Sequence, residues 1–227
     1  MTAWTRLNIV VEGQTEEEFA NEVLRPHLSQ YGISVSARMV SNRREHLRKY
    51  KGGLLEFEPL RLDISLWMRE ERTRETRFTT MVDLYAYPND APGYDNAQRL
   101  QPYDKVRRLE QNLADAVNDT RFIPYIQLHE FETILFADMS KWGPYFLGQG
   151  DALNDLRHSV ISFNNVELIN DDERTAPSKR ILQHLPEYDK VLTGNVLALE
   201  IGLQTIRDQC RHFNEWITQL EKLGHVH

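Results

Sequence analysis

Residues 7–19 read LNIVVEGQTEEEF, and this stretch decides the fold. Leu7 to Val11 is a short apolar run rich in β-branched residues. That is the pattern of a strand covered on both faces in a parallel sheet. It stops at Glu12-Gly13. Thr15 and Glu18 then stand at capping-box spacing and open a helix. Phe19, Val23, Leu24 and Leu28 mark one face of it. Gly32 ends the helix, and the alternating ISVSARMV (33–40) predicts a second strand.

Further along, residues 41–53 are basic and finish in Gly52-Gly53, the composition of a loop. Residues 60–71 and 98–118 carry helical patterns. Thr79 to Tyr85 (TTMVDLY) predicts a third strand, followed by the turn-rich YPNDAPGYDN. Phe122 to Leu128 predicts a fourth, running into His129-Glu130. Beyond about residue 131 the signal is mostly helical. Strands alternating with helices imply an α/β fold: a mainly parallel sheet of about four strands flanked by helices, with a mostly helical C-terminal third. The expected division is a core over 1–140 and a helical part over 141–227 that packs on it and completes the site through 175–180. Phe213, Trp216, Ile217 and Leu220 form a helix-spaced stripe expected to pack in the core.

Composition narrows the function. The 227 residues carry 27 Lys and Arg against 34 Asp and Glu, a net charge of −7. Bulk attraction to nucleic acid or an anionic membrane is therefore excluded, and any anion site must be local. Hydrophobic residues at 41% and charged residues at 27% are ordinary for a globular protein and argue against disorder. The single cysteine, Cys210, rules out an internal disulfide framework and a cysteine-based zinc site. With no secretory signal pattern and no apolar run of ~18 residues, the expected location is the cytoplasm, away from the membrane.

The informative feature is positional. Three apolar strands end on acids: Glu12, then Asp83, then Glu130 with Glu132. In an open parallel sheet, ligands bind outside the carboxyl ends of the strands. Carboxylates gathered there repel one another, and a divalent cation relieves the repulsion. Oxygen donors without thiolates favour Mg²⁺ or Mn²⁺, which suits phosphate chemistry. Each acid alone also reads as a helix cap or a solvated turn.

Other motifs carry two readings each. HEFE (129–132) is not a zincin motif, because Thr133 stands where a second histidine is required. His129 reads as a ligand, a general base or a half-buried structural histidine. In TAPSKR (175–180), Ser178 can cap a helix, while Lys179 and Arg180 oppose its dipole unless they meet carboxylates or phosphate. Arg38, Arg43, Arg44, Arg48, Lys49 and Lys51 form a local anion-attracting patch or a solvated loop. The run REERTRETR (69–77) is nearly balanced and reads as an ion-paired helix end.

Together these residues resemble the Toprim catalytic domain of topoisomerases, bacterial primases, small RNases and overcoming-lysogenization-defect nucleases. More narrowly, the chain resembles a Toprim-like bacterial family of undefined function. The resemblance rests on VEGQTEEEF (11–19), MVDLYAYPNDAPG (81–93), PYIQLHEFETILFAD (124–138), ELINDDERTAPSKR (167–180) and IGLQTIRDQCRHFNEWITQLE (201–221). It implies a Rossmann-like core and divalent-metal chemistry on phosphodiesters. Glu12 matches the Toprim glutamate, a metal ligand or general acid/base. Asp83 matches the first acid of the Asp-x-Asp motif, while Tyr85 stands where the second is expected. That carboxylate comes from Asp90, from Glu130 or Glu132, or not at all. HEFE resembles the later acidic motif that supplies a second metal position, and Lys179 resembles a late catalytic lysine. Relatives are often encoded beside ABC-type ATPases and are suspected of roles in phage defence.

The resulting expectation is a metal-dependent nuclease. Glu12, Asp83, Glu130 and Glu132 bind Mg²⁺ or Mn²⁺. Glu12, Lys179 and His129 serve the chemistry, and Arg43, Arg44, Arg48, Lys49 and Arg180 hold a DNA or RNA strand by its phosphates. Net charge −7 implies weak unaided binding and reliance on a partner, most simply an ATPase subunit. The alternative is a non-catalytic sensor or adaptor that binds nucleic acid or the ATPase. A third reading is phosphoryl transfer on a nucleotide.

Overall fold

A computed structural model describes residues 4–40, 56–170 and 175–224. Its centre is a parallel sheet of five short strands: β1 (Thr5–Val11), β2 (Ile33–Met39), β3 (Thr76–Asp83), β4 (Phe122–Ile123) and β5 (Ile126–Gln127). The order is β2-β1-β3-β4, with β5 also paired to β3, and every pairing is parallel. This is the α/β, Rossmann-like arrangement expected. The LNIVV run is almost wholly buried, as a strand covered on both faces must be.

The fourth strand departs from expectation. It is two fragments separated by Pro124-Tyr125, because proline has no N–H to give the ladder. Thr80 of β3 spans the break. Its hydroxyl donates to the Tyr125 carbonyl at 2.7 Å and accepts the Tyr125 N–H at 3.0 Å. Thr80→Val removes both bonds inside the core. The expected cost is about 2 kcal/mol in urea unfolding, from two buried backbone groups left unpaired.

The first helix also starts differently. Gly13 is its N-cap, α1 begins at Gln14 (Gln14–Phe19), and the side chain reaching back is Glu16, whose Oε2 accepts the Gly13 N–H at 3.0 Å. The capping pair is thus Gly13 with Glu16, two residues before the expected Thr15 and Glu18. The helix continues as a π-helical stretch over Ala20–Leu24, where Arg25 N–H reaches the Ala20 carbonyl, before its last turns at Arg25–Ser29. Pro26 explains the widening, since its ring cannot sit against an undisturbed α-turn. The next helix, α2 (Phe57–Glu70), buries Phe57, Leu60, Ile64 and Trp67. Then comes α3 (Pro102–Val117), which ends on Asn118 in the left-handed region.

The chain separates into two compact units: Met1–Gln127 with Thr218–His227, and Leu128–Ile217. The first holds the sheet. Its C-terminal segment is tied down by Thr5, whose hydroxyl donates to the Leu223 carbonyl at 2.9 Å, and by a 2.7 Å contact between His27 and Glu221. The second is helical: α4 (Gly150–Val160), α5 (Pro177–His184), α6 (Leu192–Ile201), α7 (Leu203–Gln209) and most of α8 (Arg211–Glu221). The division therefore falls at Leu128 rather than near 140, and HEFE belongs to the helical unit. Phe213, Trp216, Ile217 and Leu220 are all buried, as their spacing predicts. No helix among the described residues is long and apolar enough to cross a membrane.

Candidate metal centre

The strand order creates the site in the first unit. From β1 the chain moves to β2 on one side, then returns to β3 on the other. The carboxyl ends of β1 and β3 are thus the switch point of the sheet, where the two connections diverge. Glu12 and Asp83 are the residues at those two ends. The Glu12 N–H donates to the Met81 carbonyl at 3.2 Å, which continues the ladder one step past β1. The Asp83 N–H then donates to Glu12 Oε2 at 3.0 Å. Asp83 is buried and Glu12 partly so. The Glu12 carboxylate is thereby tied to the backbone of Asp83, 71 positions away.

Two carboxylates are, by number and donor type, within what a hard divalent cation accepts. Mg²⁺ is usually held by one or two carboxylates, the remaining positions being filled by water and substrate phosphate. Among the described residues, no group of three or more His, Cys, Asp or Glu side chains is placed to hold an ion by itself. A cation here would therefore lean on water and phosphate for most of its shell. The second acid that the resemblance calls for falls at Tyr85, with Asp90 as one expected substitute. Tyr85 is half exposed, and Asp90 Oδ1 accepts the N–H of Phe57, the first residue of α2. Asp90 thus does the work of a helix cap. Asp90→Ala is expected to cost about 1 kcal/mol in denaturant unfolding.

The helical unit positions the other predicted acids. Glu130 precedes a 3₁₀ stretch, Phe131–Lys141, so HEFE does not lie on an α-helix at all. Thr133 is buried and bonds locally, its N–H donating to the Glu130 carbonyl at 3.0 Å and its hydroxyl to that of Leu128 at 3.3 Å. Phe131, Ile134, Leu135 and Phe136 are core, as expected. Both Glu130 oxygens receive Ser178: its N–H at 2.8 Å and its hydroxyl at 3.0 Å. Ser178 is therefore not the cap of α5. Ala176 holds that place, and Glu130 supplies the negative charge that the first turn favours.

Glu132 is fully buried, with Lys190 Nζ 3.4 Å from its Oε2. Tyr188 lies close enough for Glu132 to act on it. Burial first, and then the Glu132 charge, push the Tyr188 hydroxyl far above its ordinary pKa, so it remains a hydrogen-bond donor. Gly194 is required beside it, because a side chain there would meet the Tyr188 hydroxyl at 2.7 Å.

His129 adopts φ +66°, a left-handed conformation uncommon for a residue with a side chain. Its Nδ1 lies 3.0 Å from Asn170 Nδ2.

The cationic candidates divide. Lys179 is exposed in the first turn of α5. Arg180 points inward: Nε donates to the Thr175 carbonyl at 2.7 Å, Nη1 to that of Ser159 at 3.2 Å, and the guanidinium lies 5.3 Å from the Phe163 ring centroid. Such an arginine braces the helical unit, and its guanidinium is spent on carbonyls. Arg38 is on β2, stacked 4.2 Å over Trp67 and paired with Glu70 at 2.9 Å. Arg43, Arg44, Arg48, Lys49 and Lys51 lie outside the described residues.

Sequence reading missed Glu167, Tyr188 and Lys190. Glu167 carried a signal, an acid set among the apolar residues of VELI (166–169). It is completely buried and accepts the N–H groups of His212 and Phe213 at the start of α8. Tyr188 and Lys190 carried none, lying in an unremarkable turn.

A family model described as "Domain of unknown function (DUF4276)" matches residues 11–221. No curated protein and no solved structure matches the chain.

Proposed function

The chain belongs to this family of undefined function, and from that premise we propose that it is a divalent-metal-dependent nuclease of the Toprim type. The observation that carries the reading is the Glu12–Asp83 pair, joined by the 3.0 Å bond at the switch point of a parallel sheet. Bound there, Mg²⁺ or Mn²⁺ would supply Lewis-acid polarisation of a phosphoryl oxygen and a water of lowered pKa.

The protein's own residues do the rest. Glu12 Oε2 is fixed by the Asp83 N–H, so its carboxylate is oriented before any ligand arrives. It accepts a proton from the attacking water. Asp83, buried beside it, provides the second negative charge. Lys179, exposed at the start of α5, is the lysine to which the family resemblance assigns the offsetting of charge on the scissile phosphate. The basic run at 43–49 holds the strand through its phosphates. An acidic protein with a local basic patch is suited to working with an ATPase partner that delivers the strand, and the family resemblance supports a role in phage defence.

The test is cleavage of plasmid DNA and of RNA, alone and with the ATPase partner, under Mg²⁺ and Mn²⁺. Cleavage by wild type that Glu12→Ala loses supports the reading. Equal cleavage by both proteins sinks it.

A second reading has its own support. Tyr85 in place of an acid, and a pair rather than a triplet of carboxylates among the described residues, favour a non-catalytic adaptor that binds nucleic-acid ends or the ATPase. Calorimetric titration with Mn²⁺ separates the two. Binding that Asp83→Asn weakens by at least about 100-fold favours the enzyme. An absence of binding favours the adaptor.

A further inference from the structure

Helix α6 (Leu192–Ile201) is apolar on two sides. On one it buries Leu197, Ala198 and Ile201 within the helical unit. On the opposite side Leu192 is 70% exposed, Val196 38% and Leu199 48%. These three recur at spacings of four and then three residues, so they form one continuous stripe. Leucines exposed singly are ordinary on a protein surface, but a stripe along one helix marks a place of contact. A helix that is apolar all round is one that is covered all round. The Tyr145 hydroxyl bonds to Glu200, which brings a further exposed aromatic ring to the C-terminal end of the stripe.

Acids stand at both ends of the stripe. Glu187 and Asp189 are exposed ahead of α6, and Glu200 is exposed in its last turn. Asp189 caps the helix, its Oδ1 accepting the Leu192 N–H at 2.7 Å. Lys190, the cation between them, lies 3.4 Å from Glu132. Glu200 opposes the helix dipole, and no basic residue accompanies it in that turn. These charges decide what can cover the stripe. Two copies of the chain laid antiparallel would set Glu200 of one against Glu187 and Asp189 of the other. Laid parallel, they would set each acid against its own counterpart. Both arrangements bring like charges together, whereas a partner with cations at both ends meets no such penalty.

We propose that the exposed stripe of α6 is a docking surface for an amphipathic helix of another protein, one that carries apolar side chains at the same spacing and Lys or Arg at both ends. This stands apart from the metal-dependent reading and needs no ion. Leu192, Val196 and Leu199 pack against the apolar face of the partner helix, with Val196 at the centre. Glu187 and Asp189 meet its cations at one end and Glu200 at the other. The partner is thus selected by charge as well as by its apolar face, and a chain of net charge −7 draws it in from a distance.

The probe is a synthetic peptide of about 14 residues, some four helical turns. It is stapled as a helix so that ordering does not mask binding, with Leu along one face and Lys at both ends. A second peptide is identical except for Glu in place of Lys. Each is titrated calorimetrically into the full chain, as wild type, Val196→Lys and Glu200→Gln. Both substituted side chains are exposed, so both variants should keep the wild-type urea midpoint. Wild type should bind the Lys peptide at least about 10-fold more tightly than the Glu peptide, the combined effect of a few exposed charge pairs. Val196→Lys should weaken that binding by about 10-fold or more, because a charge replaces the centre of the apolar contact. Glu200→Gln should weaken it by about threefold. Equal affinity for the two peptides, binding of neither, or binding that Val196→Lys leaves unchanged overturns the proposal. Dimerisation in analytical ultracentrifugation that Val196→Lys abolishes also overturns it and assigns the stripe to a second copy. Binding to phosphatidylcholine vesicles that the same variant loses overturns it too, in favour of a membrane surface.

Discussion

Glu12→Ala is expected to lower metal-dependent cleavage by about 10³-fold, within the range that loss of a positioned acid/base group produces. The argument is one of geometry. Glu12 follows the last residue of β1, and its carboxylate is held by the backbone of β3 rather than by another flexible side chain. A group fixed that way loses little freedom when it acts. Asp83→Asn should separate binding from chemistry. Its side chain stays the same size, its backbone N–H still reaches Glu12, and the charge presented to a cation is halved. Mn²⁺ affinity should therefore fall while folding is kept. Measured kcat and Kd for Mn²⁺ on the two variants check this. Full activity in Glu12→Ala would remove the ends of β1 and β3 from the chemistry.

Glu167→Ala is expected to destabilise the helical unit by about 2–5 kcal/mol. The carboxylate is wholly buried and accepts two N–H groups at 2.9 Å each, from the second and third residues of α8. Each N–H left unpaired away from water costs about 1–3 kcal/mol, and the favourable charge at the helix start is lost as well. Glu167→Gln retains one acceptor and should cost about half as much. Urea unfolding followed through Cys210 gives the readout. The thiol is fully buried and its pKa is pushed well up, by burial first and by Glu167 second, so it resists modification until its surroundings open. Labelling of Cys210 should therefore accelerate in Glu167→Ala under native conditions. Unchanged protection would mean that α8 is held by its apolar face alone.

A smaller pH effect belongs to the sheet unit. The Arg121 side chain, bonded to Asp119 at 2.8 Å, lowers the Asp119 pKa below the usual carboxylate range. A depressed folded value means stability that is present above the unfolded pKa and lost as the pH falls through the lower one. Arg121 also donates to the Met68 and Glu71 carbonyls at the end of α2, so acid weakens Asp119's hold on an arginine that braces that helix. Asp119→Asn should flatten the acid limb of the stability profile.

Local pattern carried the architecture. LNIVV, TTMV and FIPYIQL are apolar enough to be strands wherever they pair, and the helices between them repeat apolar residues at 3.6-residue spacing. The acids after those runs were equally legible as residues, whereas the burial of Asp83, Glu130 and Glu132 was not. The apolar stripe of α8 was legible from its spacing. The finer errors were local competitions. Gly13 took the cap from Thr15 because the bend after Glu12 places the first helical turn two residues earlier. Pro124 split a strand whose composition looked continuous, and only a hydroxyl 45 positions away repairs it.

The sequence by itself determined a parallel α/β core with carboxylates at its strand ends, because burial and hydrogen bonding of short segments depend on near neighbours in the chain. Tertiary structure alone decided which carboxylates meet and what they are given. It brought Asp83 to Glu12, spent Asp90 on a helix start, bound Glu130 to Ser178 and set Lys190 against Glu132. Those pairings join residues tens of positions apart. They follow from strand order and helix packing, and a buried charge accepts whichever partner the fold brings near, regardless of distance along the chain.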